Sequence, residues 1–234
     1  MSEHPDPLDW LEAEWRQPGA SRVEFYDQLD TCRDKLVELA SLVAEGVLPV
    51  TEAFLDADTA TAEAYYRTDE AVQAGCLALE DACYLLLARQ GPVGGDLRRI
   101  VAMTRCVTNV ARPSNLLAHV AESLAWVHPP ALTQRLRAAL RELGEQSAAI
   151  YARGVEAWRD LDGLVAVELQ RTDDEVDFLQ KVLLTELYTG SQSTEESVSL
   201  ALIARYFERI ADHGVELARQ VTYTVTGERV PDDP

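Results

Sequence analysis

The chain has 234 residues, 47% hydrophobic and 26% charged, which is the make-up of an ordinary soluble globular protein with a sizeable core. Forty acidic residues stand against 21 basic ones, for a formal net charge of −19. A field of that sign repels phosphate, so general electrostatics excludes nucleic acid and anionic lipid as partners. Basic patches on proteins, cations or plain solubility remain.

The first twenty residues are acidic and lack the basic start and apolar run of a signal peptide. No apolar stretch is expected to reach the roughly 18 residues of a membrane span. The expected location is therefore cytoplasmic, peripheral to the membrane only through partners. Residues 1–21 form an N-terminal extension with Pro5, Pro7 and Pro18, in which Leu8, Leu11 and Trp15 fall on one helical stripe. A short docked helix, a partner-binding helix and simple disorder all fit that pattern.

From Arg22, the residues Phe25, Leu29, Cys32, Leu36, Leu39, Val43 and Val47 recur at three- and four-residue steps. They predict a first helix to about Leu55, kinked or broken at Pro49. A second helix is expected over Asp58 to Gln90, ended by the Gly91–Gly95 breaker, and a third over Asp96 to Val127, ended by His128-Pro129-Pro130. The pattern then restarts, with a fourth helix over Leu132 to Leu161 and a fifth over Asp162 to Leu187. A sixth runs from a cap near Thr194-Glu195-Glu196 to about Val225. Helices of roughly 25 to 35 residues are on the order of 40–50 Å long. The fold class is thus all-α, two tandem three-helix bundles. They divide as 22–128 and 129–226, with a polar tail at 227–234. Cys32, Cys76, Cys83 and Cys106 form no CxxC pair and sit among apolar residues, so they read as buried reduced thiols.

The two halves align. Arg67-Thr68-Asp69-Glu70 matches Arg171-Thr172-Asp173-Asp174, and Cys106 to Arg112 matches Ile203 to Arg209. A repeat on the order of 100 residues indicates duplication rather than a solenoid.

Two carboxylate pairs stand out in the second copy. Asp173 and Asp177 are four apart on the fifth helix, and Glu208 and Asp212 are four apart on the sixth. That spacing puts each pair on one face, about 5–6 Å apart at Cβ. Glu208 shares its stripe with Ala201, Ala204, Ala211 and Val215, and Asp173 shares its own with Leu169, Val176 and Leu183. Carboxylates in half-apolar stripes are costly to bury unpaired. A bound cation offsets that cost, and four carboxylates make a hard-oxygen cage for iron, manganese, magnesium or calcium, less well for zinc. The competing reading is acidic ridges partnered by arginines such as Arg205 and Arg209. His213 is a candidate nitrogen ligand or hydrogen-bond support for Asp212, with a surface role equally open. In the first copy the matching positions are Asp69, Gln73, Ala111 and Asn115, so only Asp69 survives. Pro113 should also bend the third helix there. A metal is therefore expected in the second copy only.

Catalytic templates are missing. There is no G-x-S-x-G elbow, Walker loop or H-E-x-x-H, and no histidine lies three residues after an acid as in helical-bundle metalloenzymes. The chain is not expected to be an enzyme. A carboxylate-bridged metalloenzyme is kept as an alternative.

Phe207-Glu208-Arg209-Ile210-Ala211-Asp212-His213 resembles the signature of the PhoU family of phosphate-uptake regulators. Asp96 to Val101 and Asp69 to Leu87 are similar to that family as well. The resemblance covers about residues 22–225. It implies two three-helix bundles and metal ions or clusters, often iron or zinc, at Asp173, Asp177, Glu208 and Asp212. It also implies repression of the phosphate-starvation response through contacts with the phosphate transporter ATPase and a sensor histidine kinase. Whether the chain forms a homodimer stays open. The degraded first copy and the Trp-bearing extension depart from the family. They leave open a scaffold with one metal or none and with other partners.

Overall fold

Leu29, Cys32, Leu36, Leu39, Val43 and Val47 are all buried, so the first periodic stripe is one face of a continuous helix. The computed structural model describes residues 22–126, 132–190 and 192–230. Six helices follow one another: α1 (Arg22–Asp56), α2 (Thr59–Gln90), α3 (Gly94–Trp126), α4 (Gln134–Asp160), α5 (Val165–Thr189) and α6 (Thr194–Thr226). No strand occurs among the described residues. The Leu8–Leu11–Trp15 stripe, the His128–Pro130 break and the last four residues lie outside the described part.

The boundaries differ from expectation where capping decides them. Asp58 caps α2 by accepting from the Ala60 and Thr61 amides. Gly94 and Gly95 are helical, so the breaker reduces to residues 91–93, with Gly91 left-handed at φ +51°. α5 starts at Val165, three residues late, and runs through Thr189. α6 is capped by Ser193 in a capping box with Glu196, not by Thr194. Pro49 and Pro113 both stay inside unbroken helices.

Pro113 is tolerated for a visible reason. Proline has no N–H, so the carbonyl four residues back, that of Asn109, loses its helical donor. The hydroxyl of Tyr151 on α4 donates to that carbonyl at 3.0 Å. Tyr151 is fully buried, and its hydroxyl needs such a partner.

α1, α2 and α3 pack on one another, as do α4, α5 and α6. The two bundles join through α1 with α4 and α3 with α6. Each joining helix thus meets its own counterpart, as in an approximate two-fold arrangement. The turn after α1 and the turn after α4 are copies. Among the described residues, Ala57 (φ 56°) and Leu161 (φ 53°) are the non-glycine residues with positive φ. In each turn the next amide bonds back into the helix, Asp58 N–H to Ala53 at 2.9 Å and Asp162 N–H to Ala157 at 3.1 Å. Duplication has kept even this strained turn.

Small residues allow α4 and α6 to cross closely. Gly154 on α4 faces the backbone of Gly214 on α6, and an added Cβ at Gly154 would lie 2.2 Å from the Gly214 oxygen. Helix-interior glycine costs about 1 kcal/mol against alanine, so both glycines are placed by this contact rather than by helix preference.

The four cysteines are buried and free. α2 is long and apolar enough, by length and composition, to cross a membrane, contrary to the sequence expectation. In the fold its Val72, Cys76, Leu79, Cys83 and Leu86 pack into the bundle core.

Candidate functional site: an acidic face between α5 and α6

α5 and α6 pack side by side and bring the predicted carboxylates onto one face. The stripe residues behave as the sequence implies: Leu169, Val176, Leu183, Ala204, Ala211 and Val215 are buried, and Ala201 is partly so. Glu208 is pulled in with them and is only 5% exposed. Asp173 and Asp177 are half-buried, and Asp212 lies toward solvent.

The electrostatics show that the four acids act on one another. Burial first, then the charge of Asp212 and Asp177, pushes the Asp173 carboxyl up to about 7. Burial first, then Asp212, pushes Glu208 up to about 7, with Arg205 working in the opposite direction. Asp212 is raised too, by desolvation and by Asp177 against the pull of Arg205.

Partners cover part of the site. Arg205 bonds Oε1 of Glu208, and Lys181 lies 3.6 Å from Asp177. Arg209 acts on Asp212 through its charge. Two buried oxygens have no hydrogen-bond partner, Oδ1 of Asp173 and Oε2 of Glu208. Such acceptors on two adjacent helices are what a cation would satisfy, and an all-oxygen donor set is chemically suited to a hard one. Among the described residues, no three His, Cys, Asp or Glu side chains already converge at metal-binding geometry. The donors fit a cation; their present rotamers do not yet enclose one.

The first bundle shows the same place rebuilt. Ser114 on α3 donates to Oδ1 of Asp69 at 2.7 Å, and Gln73 donates to the same oxygen at 3.0 Å. Gln73 also donates to the carbonyl of Ala111 at 2.9 Å, and the hydroxyls of Tyr65 and Ser114 are 3.4 Å apart. Neutral donors here fill the place of the missing carboxylates, so Asp69 has its partners within the protein. Sequence comparison placed Gln73 and Ala111 opposite Asp177 and Glu208 but missed Ser114 and Tyr65. The signal lay in Ser114, one turn beyond Ala111, which stands opposite the buried Ala211.

His213 turns toward the other bundle. Its Nδ1 lies 2.9 Å from Oδ1 of Asn109 on α3. Burial, then Arg209 and Arg112, lowers its pKa to about 4, so the ring is neutral near pH 7. Since an amide oxygen only accepts, Nδ1 carries the proton and the lone pair is on Nε2.

Six long helices in two like bundles, with one acidic face between α5 and α6, define a duplicated helical-bundle protein. The PhoU domain model matches residues 36–124 and 140–221, once in each bundle. The chain belongs to the PhoU domain family. It is 31% identical over 209 residues to the phosphate-specific transport system accessory protein PhoU homolog 2 of Mycobacterium tuberculosis, covering 88% of this chain and 98% of that one. The PhoU homolog of Pseudomonas aeruginosa is 26% identical over 87% of this chain and 86% of its own. The crystal structure of PhoU from Pseudomonas aeruginosa superposes with a TM-score of 0.82 at 25% identity, over 87% of this chain and all of the other. That of the Streptococcus pneumoniae regulatory protein PhoU gives 0.80 at 23% identity, over 88% of this chain and 99% of that one, and shows the shared fold.

Proposed function

We propose that this protein is a cytoplasmic, non-enzymatic regulator of phosphate uptake. It represses the phosphate-starvation response through contacts with the phosphate transporter ATPase and a sensor histidine kinase. The observation that carries this reading is the match of both bundles to the PhoU domain, with relatives named as accessory proteins of the phosphate-specific transport system. The molecule supports action by contact: α5 exposes Phe178 and Tyr188, and α6 exposes Leu202. Deletion of the gene should raise phosphate-starvation transcripts in high phosphate, and the wild-type chain should restore repression. Unchanged transcripts would refute the reading.

In the same proposal the acidic face holds a metal ion or cluster, iron or zinc by family resemblance and magnesium or manganese by donor chemistry. Asp173, Asp177, Glu208 and Asp212 would supply the oxygens, and the cation would neutralise their mutual repulsion. His213 would lie outside the four oxygens, because its Nδ1 is held by Asn109 of the other bundle, which leaves Nε2 as its route to the face. The first bundle, with Asp69 already hydrogen-bonded, would hold none. The family role does not require catalysis, and the carboxylate-bridged enzyme has no histidine three residues after an acid to support it.

A further inference from the structure

A second polar site lies between α3, the last turns of α6 and the segment that follows it. Arg105, Glu216, Arg219, Gln220, Tyr223 and Arg229 line a cavity of about 190 Å³ there. Three guanidinium groups against one carboxylate make it locally cationic, in a chain whose net charge is −19. Arginines elsewhere in this chain commonly meet a carboxylate, as Arg33, Arg141 and Arg153 do. Within the cavity Arg219 is paired with Glu216 at 3.7 Å, whereas Arg105 and Arg229 make no ion pair among the described residues. Arg229 instead lies over the Tyr223 ring, 5.5 Å from its centroid, which holds its charge at the cavity. Arg98 adds a fourth cation nearby, lying against the backbone of Gly227.

Gln220 gives the site its selectivity. It is only 8% exposed. Its Nε2 donates to Glu216 at 2.6 Å, which fixes the orientation of the amide. Its Oε1 is buried and has no partner. A bound anion that satisfies this acceptor must carry a proton of its own. Inorganic phosphate does so near neutral pH, whereas sulfate does not. A phosphomonoester, with its last pKa near 6, is mostly unprotonated there.

We propose that this cavity binds inorganic hydrogen phosphate, with Arg105, Arg219 and Arg229 holding its oxygens and Gln220 Oε1 accepting its hydroxyl. Guanidinium forks match phosphate oxygens in pairs. The proposal rests on the regulator reading and deepens it by giving the protein its own phosphate contact, with ligands other than the four carboxylates, although the charge of Arg219 is also felt at Asp173 and Asp212. Its test reads the cavity alone, so its failure leaves the transcript experiment unaffected.

The test is calorimetric titration of the full chain, stripped with chelator, at about pH 7.5 with phosphate, sulfate and glycerol 3-phosphate. Phosphate should bind saturably, and the other two at least about tenfold more weakly. Arg105→Ala with Arg229→Ala should weaken phosphate by a similar factor, while Arg141→Ala, which removes an arginine paired with Glu52 on another face, should leave it unchanged. Arg105 and Arg229 are exposed, and the circular dichroism spectrum of the double variant should match wild type. Gln220→Leu should erase the preference for phosphate over sulfate. The same titration is run on Asp232→Asn with Asp233→Asn, which removes the two carboxylates that follow Arg229 in the sequence. No phosphate binding in either this variant or wild type, equal binding of sulfate, or full binding by the double arginine variant would each overturn the proposal.

Discussion

Glu208→Gln should stabilise the metal-free protein at alkaline pH. Glutamine keeps the shape of glutamate and can still accept from Arg205, but it removes a charge that burial and Asp212 oppose. The sign follows from where protons bind. The Glu208 pKa is near 4.5 in the unfolded chain and about 7 in the fold. Between those values the native state holds the proton that the unfolded state has released, so stability falls as pH rises. It is fully present below about 4.5 and lost by the time pH has passed about 7. A shift of this size corresponds to about 3 kcal/mol at pH 8 and under about 1 kcal/mol at pH 5. For a protein of this length, 3 kcal/mol is roughly 10 °C in melting temperature. Thermal melts of wild type and Glu208→Gln in chelator at both pH values read the difference directly. A variant that is less stable at pH 8, or that differs equally at both pH values, would refute the picture of a repelling, desolvated cluster. Added metal should reverse the order, because only the wild type keeps the full set of oxygens.

Ala57→Gly should raise stability by about 0.5–1 kcal/mol in urea denaturation, since it relieves a left-handed non-glycine residue at φ 56°. Gly154→Ala should cost about 1–3 kcal/mol in the same assay, because its methyl would overlap the Gly214 carbonyl. Tyr151→Phe should cost about 1–3 kcal/mol by orphaning the Asn109 carbonyl. In a Pro113→Ala background that cost should shrink, because alanine restores the helical N–H, and a double-mutant cycle measures the coupling.

Helical period and duplication were legible because they are one-dimensional. Stripes such as Leu36–Leu39–Val43 mark the buried face without knowledge of what covers it. The four carboxylates were legible for the same reason, as spacings of four on two helices. What the sequence hid depends on contacts between helices. Pro113 looks like a bend until Tyr151 is seen to satisfy the carbonyl it frees. Asp69 looks like a relic until Ser114 and Gln73 are found on it. His213 adjoins Asp212 in sequence, yet its Nδ1 meets Asn109 of the other bundle. The cavity beside Gln220 draws on α3, α6 and the segment after α6, so no local motif announces it.

The acidic face of the second bundle is tested most directly by elemental analysis of the purified protein and two variants. Wild type and Asp69→Ala should carry equal amounts of metal, and Glu208→Ala with Asp212→Ala should carry none. Equal metal in all three proteins, or loss with Asp69→Ala, would contradict a single surviving site between α5 and α6.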